Sequence, residues 1–477
     1  MSKNTNFNQY FTPRKVADYM ASLFSDLNIK SEINILDPGV GKGILAISLI
    51  KYILDNYSEI KKIKCVCYEI DPLIIIDLKK NINDIKFHFL ENNVSINFEI
   101  RNKDFIREYT DNEKYDVIIS NPPYEKIKSN SELARYLNTK GISHINLYST
   151  FIEISLTLLQ ENGTLVSIIP RSFTNGSYFT EFRKKVLESS SLTLLHLFKS
   201  RNLFQGVLQE FLIVKFEKQI NSRMSLITTR VSESHDPFKY NEIIIDKDIV
   251  IDKENNNVIK IFNNYREMQV TNFIEKNGVN INLLGLSVST GPLVDFRDID
   301  NKFYNYKDSD VIPCIFTEHM SQEQLEIIWP LKTNKKGNYV TRNISPKKLK
   351  VSGNYVIMKR FSPNKNNKRF YSNIVPSIED NEYITFDNKI NYFHANNKGI
   401  DGITALGISL YLNTSMVEIY LNQIVGNTQL NCSDLKSLKY PELKLLRAIG
   451  FNWQNANMTY NLSNIDKVVL NVLKIWE

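Results

Sequence analysis

With 477 residues, 42% of them hydrophobic, the chain is longer than one hydrophobic core supports, and we expect two domains. Its net charge of +7, from 59 lysines and arginines against 52 acidic residues, is too mild to indicate a polyanionic partner by itself. The four cysteines and six histidines lack the spacing of a disulfide framework or a metal site, and no apolar run reaches the length of a membrane span. We therefore expect a cytoplasmic protein that binds no metal and inserts into no membrane.

Strand and helix patterns alternate along the first half of the chain. An amphipathic helix is predicted to begin at Thr12-Pro13, with Thr12 as its cap. Predicted strands follow at 33–36, 63–68, 94–100, 115–120, 163–169, 192–197 and 209–216, with helices such as 45–54 and 148–159 between them. The alternation predicts a Rossmann-like, doubly wound α/β domain over residues 1–240. Shorter strands, turns and a few helices beyond it predict a mixed α+β domain over residues 241–477.

The first three predicted strands end in groups suited to a nucleoside. The turn Asp37–Gly43 is glycine-rich, and glycine lets the backbone approach a ligand closely, although the Gly-x-Gly-x-Gly spacing is not the dinucleotide fingerprint. Glu69 ends the second strand, where a carboxylate suits a ribose diol. Asp104 and Phe105 follow the third strand, where an acid and a ring suit adenine. Each acid alone could be a helix cap or a solvated side chain, but successive strand ends of a parallel sheet meet in one crevice.

The tetrapeptide Asn121-Pro122-Pro123-Tyr124 follows the fourth strand, at residues 115–120. The amide oxygen of Asn121 and the carbonyl of Pro122 can each accept a hydrogen from a planar group that bears an NH2, and Tyr124 can lie against its ring. Proline has no N–H and a fixed φ, which keeps these acceptors rigid. The simpler interpretation is a proline-stiffened turn. Together with the upstream strand ends, the segment instead predicts a site that makes an exocyclic amine nucleophilic toward a methyl group.

A basic segment characterises the second predicted domain. Residues 331–370 contain 12 lysines and arginines and no acidic residue, and Tyr339, Tyr355, Phe361 and Phe370 are interleaved with them. A solvated loop in a lysine-rich protein could show the same composition. An acid-free stretch with aromatic residues better matches a surface that contacts phosphate.

The order of these motifs resembles the gamma class of DNA adenine-N6 methyltransferases, in its PstI/BsuBI-like group, over residues 7–217. Two further segments support it, Gln9–Pro13 before the glycine turn and Phe204–Val207 before the last strand. The resemblance implies S-adenosylmethionine as cofactor and an adenine in double-stranded DNA as substrate. It implies cofactor contacts at Phe11, Thr12, Asp37, Gly39, Gly41, Gly43, Glu69, Ile70, Asp104, Phe105 and Asn121. Catalytic roles are implied for Asn121, Pro122, Tyr124 and Phe204, with the two rings on opposite faces of a flipped-out base.

The resemblance also implies that the second domain recognises the DNA target. The segments Ser289–Arg297, Asn354–Phe361 and Gly426–Leu435 are similar to parts of such specificity domains. Basic side chains there would contact phosphate, and amides would read base edges. The expected DNA contacts are Lys335, Lys336, Lys359, Arg360, Lys368, Arg369, Thr428, Gln429 and Asn431.

Other functions are compatible with part of this pattern. A protein glutamine N5-methyltransferase can use the same tetrapeptide, because a side-chain amide also presents an NH2, but it needs no large basic domain. Cytosine N4 methylation uses related chemistry, and a DNA-specificity protein could retain a catalytic half that no longer works. A fused nuclease is not expected, whereas a separately encoded restriction endonuclease remains a possible partner.

Overall fold

The computed structural model describes residues 10–27, 31–90, 94–204, 209–218, 225–294, 303–304, 311–332, 337–341, 344–361, 368–378, 381–426 and 429–474. The chain forms two compact units, Met1–Tyr265 and Arg266–Glu477. Among the described residues, none of the helices combines the length and the apolar character that crossing a membrane requires.

The first unit alternates strands and helices, as predicted. Its helices are α1 (Arg14–Ser22), α2 (Ile44–Asn56), α3 (Pro72–Leu90), α4 (Phe105–Glu108), α5 (Glu132–Thr139), α6 (Leu147–Leu158), α7 (Thr180–Ser189) and α8 (Lys247–Val250). Its strands are β1 (Glu32–Asp37), β2 (Lys62–Tyr68), β3 (Ser95–Arg101), β4 (Tyr115–Ser120), β5 (Leu159–Pro170), β6 (Ser191–Phe198), β7 (Phe211–Glu217), β8 (Leu226–Ser232), β9 (Asn241–Asp246), β10 (Ile251–Asp252) and β11 (Val258–Ile259). Short 3-10 helices occupy Arg171–Thr174, Ser177–Phe179 and Lys253–Asn255.

Within the described residues, β1 to β9 form a nine-stranded sheet in the order β3-β2-β1-β4-β5-β7-β6-β8-β9. The pairs from β3 to β5 are parallel, whereas β7 runs antiparallel to both of its neighbours. β4 is buried on both faces, since Val117, Ile118 and Ile119 are all inaccessible, which is typical of an interior parallel strand. The predicted doubly wound α/β fold is confirmed.

Helices α1 and α2 cover one face of this sheet. The apolar positions of α1, such as Tyr19 and Met20, and those of α2, such as Leu49, are buried in a common core with side chains of β1 and β4. Burial of each such side chain contributes about 1.5–3 kcal/mol, so the core fixes the strand ends relative to the helices.

The start of α1 differs from the prediction. Pro13 is the N-cap and no side chain caps the helix, so Thr12 as cap is wrong. The Thr12 hydroxyl instead accepts a hydrogen bond from Asn121, 109 positions along the chain.

The first unit also extends beyond the expected boundary at residue 240. The predicted strands end at Phe216, but β8 pairs with β6 in parallel and β9 pairs with β8, so both continue the sheet. Both strands alternate buried and exposed residues over part of their length, as strands covered on one face do, and this pattern is weaker than the continuous apolar run of β4.

The second unit mixes helices with smaller sheets. Its helices are α9 (Tyr265–Asn277), α10 (Gly402–Leu412), α11 (Ser415–Ile424), α12 (Cys432–Ser437), α13 (Leu443–Ala456) and α14 (Leu462–Leu473), with 3-10 turns at Ile281–Leu284, Thr317–His319 and Pro346–Lys348. Its strands are β12 (Val279–Asn280), β13 (Ser287–Thr290), β14 (Phe303–Tyr304), β15 (Val311–Ile315), β16 (Tyr339–Thr341), β17 (Lys350–Val351), β18 (Tyr355–Lys359), β19 (Ser372–Val375), β20 (Tyr383–Phe386), β21 (Ile390–His394) and β22 (Lys439–Tyr440). One sheet has the order β13-β21-β18-β19, and its described pairs are antiparallel. This architecture matches the predicted mixed α+β class.

Candidate active site

A cavity lies at the carboxyl edge of the large sheet. β1 and β4 are neighbours, and the sheet continues from them in opposite directions, so their carboxyl ends flank a crevice of the kind in which open α/β sheets bind ligands. The cavity has a volume of about 320 Å3, within the range of roughly 300–1,000 Å3 for small-molecule sites. The predicted site residues that line it are Phe11, Thr12, Gly39, Gly41, Glu69, Ile70, Asp104, Phe105, Asn121, Pro122 and Tyr124.

The glycine turn forms one wall. Gly41 has a φ of +51°, a conformation that residues with a side chain rarely adopt. A Cβ on Gly41 would lie 3.5 Å from the ring of Phe11, so the turn and the segment before α1 are in close contact. The backbone of the turn is thus open to a ligand on the cavity side.

Asp37 and Gly43 belong to the same turn but do not line the cavity. Asp37 is fully buried, and its Oδ1 accepts from the N–H of Gly39 at 3.3 Å. Its Oδ2 has no hydrogen-bond partner among the described residues, and burial raises the pKa of the carboxyl to about 8. Gly43, with a φ of +85°, leaves room for Leu78 of α3, since a Cβ would lie 2.6 Å from that side chain. These two residues shape the turn rather than face the cavity.

Glu69 links the ends of β1 and β2. Its Oε2 accepts from the N–H of Gly41 at 3.0 Å and its Oε1 accepts from the N–H of Asp71 at 2.8 Å. Burial raises the pKa of this carboxyl, while the two N–H donors favour its charged form. The acid is therefore held at the cavity wall with a defined orientation.

Asp104 and Phe105 have partly structural roles. Asp104 caps α4, its Oδ1 accepting from the N–H of Ile106 at 3.0 Å. The ring of Phe105 lies 5.2 Å from that of Tyr68 and 5.1 Å from that of Phe151. Phe151 is a cavity residue on α6 that no sequence motif indicates. The group forms an aromatic wall suited to a flat ligand.

The residues of this cavity fit the predicted S-adenosylmethionine. A carboxylate accepts hydrogen bonds at several positions on its two oxygens, as a ribose diol requires, and Glu69 presents one at the end of β2. Phe105 and Phe151 offer ring faces for an adenine, and the glycine backbone admits close approach at Gly39 and Gly41. The adenine and the ribose of the cofactor thus each have a chemically matched wall, beside a glycine turn that admits close approach.

The orientation of the Asn121 side chain is defined by the hydrogen bonds that its amide nitrogen donates. Nδ2 donates to the carbonyl of Tyr10 at 2.9 Å and to Oγ1 of Thr12 at 3.0 Å. The Tyr10 carbonyl can only accept, so it identifies this end of the amide as the NH2, and the Thr12 hydroxyl accepts from the same nitrogen. Oδ1 therefore faces the other way, where it accepts from the hydroxyl of Tyr124.

Three rings contact Tyr124, whose hydroxyl donates to this amide: those of Tyr10, Phe204 and Phe211. Tyr10 and Tyr124 are stacked, with centroids 6.0 Å apart and planes at 16°. Phe204 lies 6.1 Å from Tyr124 at 53° and 4.7 Å from Phe211 at 81°, and it is 3% exposed. A base between Tyr124 and Phe204 needs near-parallel rings about 7 Å apart, twice a van der Waals contact. Here the two rings contact each other, so the predicted sandwich requires one of them to move.

Tyr10 is the functional candidate that the sequence analysis missed. Its carbonyl holds Asn121 and its ring stacks on Tyr124. The signal was its place in the segment Gln9–Pro13. Gln9 itself, and the Gln205–Val207 part of the other segment, lie outside the described residues.

The predicted DNA contacts in the second unit fall into three groups. Lys335, Lys336 and Thr428 lie outside the described residues, as do Asp295 to Arg297. Lys359 and Arg360 are partly exposed at the end of β18, where Lys359 lies 5.2 Å from the Tyr371 ring and Arg360 lies 5.6 Å from the Phe361 ring.

Two of the predicted segments meet at Arg360. Phe361 forms a β-bridge with Gln429, and the N–H of Leu430 donates to the carbonyl of Arg360 at 2.7 Å. The amide oxygen of Gln429 can face the Arg360 guanidinium, 2.6 Å from Nη2 and 3.0 Å from Nε. Asn431, two residues on, caps α12. Arg360 and Gln429 thus form a polar pair that the structure brings together from distant parts of the sequence.

Lys368 and Arg369 are turned to the interior instead. Nζ of Lys368 donates to the carbonyl of Asn413, and burial lowers its pKa to about 8. Arg369 is 7% exposed and donates to the carbonyl of Val425 at 2.9 Å and to Asn422 at 3.2 Å. Their prediction as surface contacts disagrees with this geometry, because their donors bind groups within the second unit.

Three of the interleaved aromatic residues are also internal. Tyr339, Tyr355 and Phe370 are 7%, 0% and 2% exposed, whereas Phe361 is 47% exposed. Of these four rings, Phe361 alone is placed to meet a partner.

Comparison with known proteins identifies the family. The model of the Eco57I restriction-modification methylase family matches residues 52–204. The type II methyltransferase M.PstI of Providencia stuartii is 33% identical over 455 residues, which cover 93% of this chain and 88% of that protein. M.BsuBI of Bacillus subtilis, also a type II methyltransferase, is 30% identical over 495 residues, covering 99% and 95%. Among solved structures, the type IIG restriction endonuclease BpuSI aligns with 98% of this chain and 66% of its own, at a TM-score of 0.47 and 11% identity.

The two type II methyltransferases match this chain over nearly the full length of both partners. The matches extend through the second unit as well as the first. The chain therefore belongs to the type II methyltransferases of restriction-modification systems, which use S-adenosylmethionine as methyl donor.

Proposed function

We propose that this protein methylates the N6 amine of an adenine flipped out of double-stranded DNA, as the modification enzyme of a restriction-modification system. The observation behind this proposal is the orientation of Asn121. Its amide oxygen points into an aromatic site beside the cavity that fits the donor, and its NH2 is occupied by two protein acceptors.

The chemistry requires an acceptor at that position. The lone pair of an exocyclic amine is delocalised into its ring, which makes the nitrogen a poor nucleophile. When bound, S-adenosylmethionine would supply an electrophilic methyl group: the nitrogen would bond to this methyl, the carbon–sulfur bond would break, the thioether S-adenosylhomocysteine would leave, and one amine proton would be lost to solvent. Asn121 Oδ1 and the Pro122 carbonyl, by accepting the two amine hydrogens, favour a pyramidal nitrogen whose lone pair is localised.

In this structure the Tyr124 hydroxyl occupies the place of the substrate amine on Asn121. Insertion of a base replaces this hydrogen bond by an equivalent one, so the exchange has a small net cost. Unstacking the base costs a few kcal/mol, and stacking on an aromatic ring offsets about 1–3 kcal/mol of it. Tyr124 supplies that ring after its hydroxyl has moved away.

The second unit would bind the duplex. Lys359 and Arg360 are partly exposed cations at one strand end, next to the Phe361 ring and the Gln429 amide. Cations contact phosphate, and an Arg or Gln side chain can form paired hydrogen bonds with a base edge. Such an enzyme would be paired with a separately encoded restriction endonuclease that cuts the same sequence. Methylation would protect the DNA of the cell from that endonuclease.

The test is to express the protein in a host without DNA methylation and to map modified bases along the genome. We expect N6-methyladenine at one recurring sequence and none after Asn121→Ala. Because Asn121 could equally accept from the amine of cytosine, the identity of the base decides the proposal. N4-methylcytosine at the recurring sequence, or no modified DNA from a protein that binds the donor, would refute it.

A further inference from the structure

We propose that Thr12 is a positioning residue, whose hydroxyl keeps the amide oxygen of Asn121 directed at the substrate amine. This inference rests on the proposed function, in which Asn121 accepts a hydrogen from that amine. It assigns to Thr12 a role in methyl transfer rather than in cofactor binding alone.

The orientation of the amide matters because its two ends have similar size and opposite polarity. With Oδ1 toward the substrate, the amide accepts a hydrogen. With the amide rotated by half a turn, its NH2 would face the NH2 of the substrate, donor against donor. Asn121 therefore works in one of two orientations that sterics alone does not distinguish.

The Tyr10 carbonyl, which can only accept, selects the working orientation in this structure, and two hydroxyls complete the hydrogen bonds of the amide. The Tyr10 carbonyl and the Thr12 hydroxyl accept from Nδ2, at 2.9 and 3.0 Å, and the Tyr124 hydroxyl donates to Oδ1. The Tyr124 contact must break when the base arrives, since the base amine takes its place. Tyr10 and Thr12 are then what holds the amide during the reaction.

A threonine just before a helix ordinarily uses its hydroxyl to cap the first turn. Here Pro13 is the N-cap, and α1 has no side-chain cap hydrogen bond. Thr12 is 6% exposed, so water competes little for the hydroxyl. Its oxygen is thus committed to Asn121.

Thr12 is the testable member of the pair, because the Tyr10 acceptor is main chain. Thr12→Val removes the hydroxyl at nearly constant shape, and Thr12→Ser restores it. The measurement is the single-turnover rate of DNA methylation at saturating donor, together with the dissociation constant of S-adenosylmethionine. We expect Thr12→Val to lower the rate about five- to tenfold, the effect of one neutral hydrogen bond, with donor affinity changed less than about twofold. Thr12→Ser should recover most of the rate.

A matched control is Thr229→Val in β8. Thr229 is also buried, and its hydroxyl donates to the carbonyl of Phe262 at 3.1 Å. The same loss of a buried threonine hydroxyl should leave the single-turnover rate at the wild-type value. A common loss of rate in both variants would mean a general structural effect and would overturn the proposal. If Thr12→Val does not fold, Thr12→Ala in the same assay decides.

The outcomes separate this inference from the proposed function. A wild-type protein that forms no N6-methyladenine refutes the function itself. If the wild type forms N6-methyladenine, and Thr12→Val reacts at the wild-type rate or loses only donor affinity, Thr12 is not a positioning residue while the function stands.

Discussion

The two units of this protein place their functional side chains by different means. In the first unit, most candidate residues follow the carboxyl ends of β1, β2, β3 and β4, and a parallel sheet brings those ends together whatever the rest of the sequence is. In the second unit, the basic candidates lie in a segment distinguished by its composition, and composition does not state which way a side chain points. Position after a strand was therefore a better guide than charge.

The contrast is clearest for two pairs of basic residues. Lys359 and Arg360 end a strand and are partly exposed, whereas Lys368 and Arg369 follow only eight positions later and bind carbonyl groups inside the unit. An internal cation stabilises the fold, and an exposed one can bind phosphate. Substitutions in both units separate these roles.

Replacing Asn121 tests whether a strand-end residue is catalytic in the first unit. Asn121→Ala should lower the methylation rate by at least about 10²–10³-fold, as loss of a preorganised polar group does. Affinities for donor and DNA should stay within about threefold, because the alanine backbone leaves the sheet intact. The measurements are a steady-state methylation assay and two binding titrations, with Asn56→Ala, an exposed asparagine at the end of α2, as control. Retention of substantial turnover would remove Asn121 from the mechanism.

Replacing Tyr124 separates its ring from its hydroxyl. Tyr124→Ala should lower kcat/KM about 10–100-fold, because stacking on an aromatic side chain is worth about 1–3 kcal/mol per base. Tyr124→Phe keeps the ring and removes the hydroxyl that occupies Asn121, so base insertion should become easier. Fluorescence of 2-aminopurine at the target position reports this insertion, and we expect it to rise with Tyr124→Phe and to fall with Tyr124→Ala. Equal behaviour of the two variants would contradict the assignment of separate roles.

The basic pairs test the second unit directly. Arg360→Ala should weaken DNA binding about tenfold or less and reduce the slope of log affinity against log salt by about one. Arg369→Ala should instead lower the free energy of unfolding by about 1–3 kcal/mol, because it leaves the buried carbonyl of Val425 without this donor. The measurements are salt-dependent DNA titrations and urea unfolding of both variants. A loss of salt dependence with Arg369→Ala at unchanged stability would reverse the distinction between the pairs.

The pH dependence of stability tests the buried carboxyl behind the glycine turn. The folded Asp37 keeps its proton up to a pKa of about 8, whereas the unfolded group loses it near 3.8, so the folded state binds more protons in between. The free energy of unfolding should therefore fall as pH rises through this window. Asp37→Asn cannot ionise, and its stability advantage over the wild type should grow by at least about 1 kcal/mol between about pH 5 and pH 8.

Urea unfolding of Asp37→Asn and of the wild type at several pH values measures the difference between their free energies of unfolding. Because both proteins contain the other titratable groups, the contributions of those groups cancel in this difference. His196, whose pKa is lowered to about 3 by burial, acts in the opposite sense at acidic pH and is present in both proteins. A difference that does not vary with pH would show that Asp37 is ionised in the folded state.

Much of the first unit was predictable because interior parallel strands are continuous apolar runs. β4 was predicted at its observed bounds, 115–120, and the residues that follow it line the cavity as expected. The edge strand β9 and its neighbour β8 were missed, since they are only partly buried. The roles of Tyr10 and Thr12 as hydrogen-bond acceptors for Asn121 were also missed. Both depend on a contact between residues more than 100 positions apart. Periodicity reports which face is buried, and it does not report which distant group a buried hydroxyl will meet.

The central claim is that the oxygen of Asn121 activates an adenine amine. Its most direct test is mass spectrometry of nucleosides from duplex DNA methylated by the purified protein, with wild type and Asn121→Ala compared at saturating donor and DNA. The result predicted is N6-methyldeoxyadenosine from the wild type and at most a trace from Asn121→Ala. N4-methyldeoxycytidine as the product, or equal N6-methyldeoxyadenosine from both proteins, would contradict it.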